Sequence, residues 1–326
     1  MTRTDAELAT LSVPGTGEQL AAEKSAAVQR QIKALDEMLS SVVQLEPLTF
    51  DQLVTRPAIA RFDPGPLSVA LAAPDWAAYA PAQPTGLARL TGRSRYRRRL
   101  AWAQVEYEAA RAAYLRAESG RSRAVAAAKA QHDREVTEEH ARVAGHNADV
   151  ARRRLAFAAG DAEAVQWFAD RAITASRYLN VFPRDYQVSY QQRTVRVVAE
   201  LPPGRIVPSA RAYRYVASRG IVEPVPRLDK EIRQRYQRVV CSAALRVLHV
   251  IFAATPAEVV DTVAFSGWIG SADPATGKPV RPCLISVTAG RAAFSELVLT
   301  SVEPVACLAH LSGTVSPDPF ALRAWE

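Results

Sequence analysis

The sequence predicts an α+β protein, in which an N-terminal helical, coiled-coil-like half with one long helix precedes a compact α+β domain. Three observations predict it. Apolar residues recur every seven positions between residues 96 and 157, which is typical of a long helix with one packed seam. The hydrophobic period changes to two after residue 182, as in strands. A helical segment at 228–253 separates two groups of strands, so we place the boundary between residues 182 and 183.

The composition fits a soluble cytoplasmic protein. The chain has 326 residues, 48% hydrophobic content, a net charge of +8 and a pI of about 9.6. Its cysteines, at 241, 283 and 307, form no paired framework and no zinc-type spacing, as expected in a reducing compartment. Residues 1–7 lack the pattern of a signal peptide, and the longest apolar runs are too short to span a bilayer. We therefore expect no membrane association.

The helical half begins with an amphipathic pattern at 18–43. Seven prolines between residues 45 and 92 exclude long helices there. We read this segment as a looped connector that wraps on the helices through Phe62, Trp76 and Tyr79.

The segment 96–157 is the most regular part of the chain. One heptad series runs through Leu100, Tyr107 and Tyr114, and a second through Val136, Val143, Val150 and Phe157 is offset from it by one residue. The offset leaves two alternatives, one long helix or a hairpin near Gly120. We favour one helix, because a single glycine costs only about 1 kcal/mol in a helix. This helix is also where we expect a homo-oligomer to form.

The second half begins after a return helix at 162–176. Strands are predicted at 186–190, 194–201 and 213–216, followed by the helix at 228–253, a hairpin and a short helix at 302–311. The hairpin contains the stretch GSADPATGKPVRPC, in which Gly277 and Lys278 resemble part of a phosphate-binding loop. Pro279 stands where that loop needs a Ser or Thr, so the stretch predicts a turn.

The residues of common active sites are missing or badly spaced. His132, His140 and His146 are eight and six residues apart and do not share a helix face as a metal pair would. The Gln-x-Lys pattern of Mg²⁺-dependent nucleases occurs only at Gln31 and Lys33, inside a predicted helix. We therefore predict no catalytic, cofactor-binding or metal-binding residue, and no enzymatic activity for the chain on its own.

Arginine clusters are the candidates for binding nucleic acid, because guanidinium groups neutralise phosphates. The alternative at each cluster is a solvated helix end or an exposed strand position. The candidates are Arg93, Arg95, Arg97, Arg98 and Arg99 at the start of the long helix, Arg152, Arg153 and Arg154 near its end, and Arg214 and Arg281 in the α+β domain.

Four stretches carry a family resemblance. They are LEPLTFDQL (45–53), GDAEAVQWFADRAI (160–173), VPSARAYRYVASR (207–219) and DPATGKPVRPCLISV (273–287). Together they resemble the region that precedes the nuclease domain in a group of Mrr-like restriction endonucleases. The resemblance begins near residue 45 and does not extend to the catalytic domain, so no catalytic residue is transferred. It implies a cytoplasmic antiviral defence protein that acts on foreign or modified DNA.

Two main hypotheses follow. In the first, the chain is a non-catalytic regulatory, DNA-sensing or oligomerisation region of an Mrr-like restriction system, with double-stranded DNA and a nuclease domain or subunit as partners. In the second, motivated by the heptads alone, it is a coiled-coil scaffold that binds protein partners without DNA contact. A hydrolase with an unrecognised site is a third and weaker reading.

Overall fold

The computed structural model describes residues 16–85, 92–176, 182, 185–273 and 275–322. Parts of three predicted segments lie outside these residues: the N-terminal segment 1–7, residues 86–91 of the connector, and Pro274 of the turn. The helices are α1 (Thr16–Asp36), α2 (Met38–Val43), α3 (Phe50–Leu53), α4 (Arg93–Ala158), α5 (Ala162–Ala175), α6 (Asp229–Ala254), α7 (Arg291–Ser295) and α8 (Pro304–His310). The strands are β1 (Tyr186–Gln191), β2 (Thr194–Glu200), β3 (Ala210–Val216), β4 (Ile221–Pro226), β5 (Thr262–Trp268), β6 (Ser271–Ala272), β7 (Pro279–Val280), β8 (Cys283–Gly290) and β9 (Thr314–Val315). The predicted α+β class and the single long helix are both confirmed.

Contacts divide the chain into two compact units. Unit 1 consists of Met1–Leu53 and Val150–Glu326, and unit 2 is Val54–Asp149. This division differs from the predicted boundary between residues 182 and 183. The physical reason is that helices α2, α3 and α5 share one hydrophobic core with the sheet instead of forming a core of their own.

The main sheet of unit 1 has five strands in the order β1-β2-β5-β8-β9. Neighbouring strands are antiparallel except β2 and β5, which run parallel with Val195 opposite Val263. A parallel pair needs a crossover connection, and the chain between β2 and β5 provides it with β3, β4 and α6. Both side chains of that opposed valine pair are fully buried, so this pairing lies in the core.

Helix α6 is the core helix of unit 1. It packs against β5, β8, α2, α5 and α8, and every residue from 239 to 248 is buried. By length and composition it is the one helix in the described part of the chain that is apolar enough to cross a membrane, and 72% of its apolar window is buried inside the fold. A helix that is apolar on all sides and covered by protein is a core helix.

Unit 1 also carries a smaller layer, in which the β3–β4 hairpin packs against α1. The Ser25 hydroxyl accepts a hydrogen bond from the backbone N–H of Tyr213 at 2.8 Å, and Gln29 donates to the backbone carbonyl of Arg211 at 3.1 Å. Helix α1 therefore supplies hydrogen-bond partners to an edge strand, which protects that edge from pairing with another chain.

Unit 2 consists of α4 as far as Asp149 and of the chain before this helix from Val54. We call residues 54–79, which lie along α4, the strap. At one end of the strap, Thr55 exchanges two hydrogen bonds of 3.0 Å with the side chain of Asn147. At the other end, Trp76 and Tyr79 pack edge-on against Tyr107, with ring centroids 5.4 and 5.7 Å apart. The strap therefore runs antiparallel to α4 and covers the seam that the heptads predict.

The middle of the strap is held by an ion pair on α4. The Glu118 carboxylate accepts a hydrogen bond from the backbone N–H of Leu71 at 3.3 Å and is paired with Arg121. Arg121 also donates to the backbone carbonyl of Leu67. These bonds satisfy polar backbone groups of a segment whose regular structure consists of two short 3-10 helices, Gly65–Ser68 and Trp76–Ala78.

The one-residue offset between the two heptad series has a geometric explanation. Leu100 and Val136 are 36 residues apart, which is ten turns at 3.6 residues per turn. The offset therefore returns the seam to the same side of an α-helix that does not supercoil, whereas strict heptads would wind it around the axis. Gly120 lies inside the continuous helix and not in a turn.

Candidate nucleic-acid interface

The ten candidate arginines fall into groups with different surroundings. Arg93, Arg95, Arg97, Arg98 and Arg99 form the first turns of α4, and we call this group the arginine tip. Every one of these five side chains is exposed. Within the described residues none of them has an ion pair or a hydrogen bond from its side chain.

The electrostatics of the arginine tip favour an anion. A helix N-terminus carries a positive partial charge and disfavours nearby cations. Here five guanidinium groups stand at that end, and the first acidic residue of α4 is Glu106, more than three turns into the helix. Their mutual repulsion remains uncompensated by the described part of the chain. A bound polyanion would supply the missing negative charge.

The second cluster, near the end of α4, is used inside unit 1. Arg153 stacks over the ring of Trp167 at 4.9 Å and lies 3.6 Å from the Glu163 carboxylate. Arg154 donates to Asp51 at 2.9 Å. Arg152 also has an interaction partner. These contacts differ both from a nucleic-acid site and from the alternative of a solvated helix end, because Arg153 and Arg154 are paired within the protein.

Arg214 and Arg281 share no interaction partner among the described residues. Arg214 pairs with Glu223, which Arg219 also contacts, and these hydrogen-bonded guanidinium groups lower the pKa of the Glu223 carboxyl. Arg281 is exposed and lies over the ring of Trp268 at 4.5 Å, a cation–π geometry. Of the two, Arg281 keeps its charge without a carboxylate partner among the described residues.

The stretch that resembles a phosphate loop is a turn, as predicted. Gly277 has a φ of +67°, which glycine adopts without strain. The Asp273 carboxylate accepts hydrogen bonds from the backbone N–H groups of Ala275 and Thr276, at 2.7 and 3.3 Å, and these bonds lower its pKa. Backbone donors that would have to face a phosphate are thus already engaged by a carboxylate.

Among the histidines of α4 and the nuclease-like pattern, His132 and Gln31 make structural contacts. His132 anchors the strap, with Nε2 2.9 Å from the backbone carbonyl oxygen of Ala60 and its ring edge-on to Phe62 at 5.5 Å. Gln31 and Lys33 lie on α1, where Gln31 donates to the backbone carbonyl of Ile206. No group of three potential metal ligands occurs among the described residues.

Two cavities of about 210 and 460 Å³ flank His249 in unit 1. Burial, with a contribution from Arg246, lowers the pKa of His249, so its imidazole is neutral at pH 7. Ser176 lines the smaller cavity, but its hydroxyl donates to the backbone carbonyl of Ile173 at 2.9 Å. The serine and the histidine therefore do not form a nucleophile–base pair.

Sequence reasoning missed further arginines on α4. Arg116, Arg123 and Arg134 are exposed and have no carboxylate partner among the described residues. Their separations from Arg98 are 18, 25 and 36 residues, which are close to whole numbers of helical turns. This spacing was readable in the sequence, but it has meaning only if the helix is continuous past Gly120.

No protein-family model, curated protein or solved structure matches this chain.

Proposed function

We propose that this chain is a non-catalytic DNA-binding region of a restriction-type antiviral defence system and that it contacts double-stranded DNA through the arginine tip of α4. The proposal places the protein in the cytoplasm, where such DNA is met. It rests on the resemblance to the region preceding the nuclease domain of Mrr-like restriction endonucleases and on the charge of the tip. It assigns DNA cleavage to a nuclease domain or subunit.

The observation that carries the proposal is the state of the arginine tip. Its five guanidinium groups are exposed and have no carboxylate partner among the described residues, whereas Arg153, Arg154 and Arg214 each have one. Charges that are already paired gain little from a phosphate, because the existing pair must first be broken. Unpaired charges gain the full contact and release counterions from the DNA.

A scaffold that binds proteins without DNA is the second candidate, and an exposed apolar pair on α4 favours it. Trp102 and Val105 are 69% and 66% exposed. Large exposed apolar side chains close together are typical of protein interfaces. The heptad seam gives this candidate less support than the sequence suggested, because the strap of the same chain covers the seam.

Fluorescence anisotropy with a labelled duplex, titrated at several salt concentrations, tests the proposal. The slope of log K against log salt should be steep, since each phosphate contact adds about 0.9 to it. Changing all five tip arginines to glutamine should lower the slope by up to about 4.5. The same change removes cations from a helix N-terminus, so the variant should be at least as stable as the wild type, and circular dichroism checks this.

A control variant carries Arg30→Gln, Arg56→Gln and Arg205→Gln, which removes three other exposed arginines without ion pairs among the described residues. We expect its slope to change by less than about 1, because non-contacting charges release no counterions. Absence of duplex binding by the folded wild type at low salt would remove the proposed function. An equal loss per charge in both variants would show only a general attraction by net charge.

A further inference from the structure

Four arginines form a straight row on α4, which we call the arginine row: Arg98, Arg116, Arg123 and Arg134. At 100° per residue, all four project within about 20° of one another around the helix axis. The row spans 36 residues, or about 54 Å. Only one of its members belongs to the arginine tip.

The row faces away from the strap. Tyr107, which contacts the strap, is nine residues from Arg98, and nine residues are two and a half turns, which places the two on opposite sides of the helix. Val143, one of the two buried residues of α4 within unit 2, has the same relation to Arg134. The strap therefore leaves the row uncovered, and all four side chains are exposed.

The surface around the row is positively charged, and most side chains between the arginines are small. Between Arg98 and Arg134 the nearest acidic residues on the helical wheel, Glu106 and Glu108, project about 80° to either side of the row, and Glu138 projects about 40° from it one turn beyond Arg134. Between the arginines the same face carries small residues: Ala109, Ala112, Gly120, Ala127 and Ala130. Trp102 and Val105 are the bulky exposed side chains on this face, beside Arg98. From Ala109 to Arg134 a rigid partner could lie against the helix without meeting another aromatic or branched aliphatic side chain on it.

We infer that a double-stranded nucleic acid lies lengthwise along the face of α4 opposite the strap, with the arginine row on its phosphates, so that the site covers about 16 base pairs. The length follows from a row of about 54 Å and a rise of about 3.4 Å per base pair. A duplex carries one phosphate per about 1.7 Å of its axis, so each arginine has phosphates within reach. The inference rests on the proposed function and defines the footprint of the same partner.

The chemistry of this face selects a duplex over a single strand. Binding of single strands relies on aromatic side chains on which successive bases stack. Trp102 is the single aromatic residue on this face between Arg98 and Arg134. Arg123 and Arg134 donate to neutral oxygens of Ser119 and Gln131, so all four arginines of the row keep their charge without a carboxylate partner among the described residues. A row of such charges along one side of a helix instead matches a partner of constant shape and charge density.

The test combines duplex length with a matched pair of variants. The row variant carries Arg116→Gln, Arg123→Gln and Arg134→Gln and keeps the arginine tip. The control carries Arg56→Gln, Arg61→Gln and Arg111→Gln, which removes the same charge from exposed positions of unit 2 off this face. Wild type should bind duplexes of about 16 base pairs much more tightly than duplexes of about 8, with a salt slope larger by about 3 contacts times 0.9.

The row variant should lose both the gain with length and about 2.7 units of slope, while the control keeps both. Equal behaviour of the two variants would overturn the inference. So would a wild-type affinity that does not rise between the short and long duplexes, which would leave the tip as the whole site and the proposed function intact. Failure of wild type to bind any duplex would remove the proposed function itself.

Competition identifies the partner and tryptophan fluorescence reports its position. Three competitors are tested against the labelled duplex DNA: a duplex RNA, a single strand and an acidic peptide of equal charge. Stronger binding of the single strand or the peptide than of the duplex DNA would overturn the inference. Comparing duplex RNA with duplex DNA shows which of the two nucleic acids supplies the phosphates. Trp102 lies one turn from Arg98, so the bound duplex should quench its emission, and this quenching should vanish in Trp102→Phe. Quenching that persists in this variant would place the duplex elsewhere.

Discussion

Helices α6 and α4 differ in what covers them. Ten consecutive residues of α6, 239–248, are buried, and this helix packs against strands β5 and β8 and helices α2, α5 and α8. In the part of α4 that belongs to unit 2, Ala103 and Val143 alone are buried. The first helix is stabilised by packing, and the second must rely on alanine-rich propensity, on pairs such as Lys129 with Asp133, and on the strap.

The comparison shows that the two units differ in burial and in exposed charge. Unit 1 has a continuous buried core, whereas the α4 helix of unit 2 has few buried residues and many exposed arginines. Unit 1 uses some of its arginines internally: Arg291 donates to the backbone carbonyls of Phe252, Thr255 and Val260 at 2.8–2.9 Å and so completes the end of α6. Unit 2 leaves arginines exposed on the tip and the row. The half-buried Arg291 holds the fold through backbone carbonyls, whereas an exposed arginine without a carboxylate partner can bind an anion.

The largest expected effect is a core truncation in unit 1. Phe265 in β5 is fully buried, so Phe265→Ala should lower the free energy of unfolding by about 3–5 kcal/mol. Trp102→Ala removes a larger side chain that is 69% exposed and should change it by less than about 0.5 kcal/mol. Urea unfolding followed by circular dichroism measures both. Similar losses in the two variants would break the comparison between the units.

A smaller effect is expected from adding one carbon to a close contact in the sheet. A Cβ on Gly267 would lie 2.7 Å from Cγ2 of Ile285 and 2.8 Å from Cδ2 of Leu201. Gly267→Ala should therefore lower the free energy of unfolding by about 1–3 kcal/mol. The same urea titration measures it, and an unchanged midpoint would show that this part of the core yields more easily than its contacts suggest.

A glycine-to-alanine substitution in unit 2 should have the opposite effect on stability. A Cβ on Gly120 meets nothing within 4 Å, and the residue lies inside α4. Gly120→Ala should stabilise the helix by about 1 kcal/mol, because alanine loses less backbone freedom there. Slower hydrogen exchange in peptides around residue 120 would be the sign. Faster exchange would indicate that the glycine is needed for a bend or a close approach.

The smallest effect concerns the pH dependence of the strap. Hydrogen bonds from Arg121 and from the backbone N–H of Leu71 lower the pKa of the Glu118 carboxyl. A lowered pKa means that its contribution is complete above the ordinary glutamate pKa and is lost as the pH falls through the lowered value. Acidification should therefore loosen the strap, seen as a change in Trp76 emission relative to Trp76→Phe. In Glu118→Gln this component should be absent.

Much of the fold was predictable because local patterns determine it. The β1–β2 hairpin, the core helix α6 and the turn after Asp273 follow from period and turn chemistry, and the contacts of Phe62, Trp76 and Tyr79 with α4 agree with the predicted wrapping of the connector. Local patterns do not say which distant strands become neighbours, so the parallel pairing of β2 with β5 was not predicted.

Two further features escaped prediction for specific reasons. Strand β4 contains Pro224 and Pro226, which argue against a strand unless it lies at an edge, as it does here. The sequence predicted a seam on α4 and a connector that wraps on the helices, but neither pattern assigned the strap to that seam. For the site, the tip was visible as a charge run, whereas the arginine row depends on helical phase across Gly120.

Leu100 and Val136 are ten helical turns apart, so α4 can lengthen between them without losing its strap contacts only by whole turns. Inserting one residue between them would rotate one set of strap contacts by 100° relative to the other, which the strap cannot follow. An insertion of about 18 residues, five whole turns, would preserve the phase and lengthen the helix by about 27 Å. The strap would then need at least about 8 more residues, since an extended chain covers no more than about 3.3–3.6 Å per residue. Helix and strap can therefore change length only together, in steps close to whole turns.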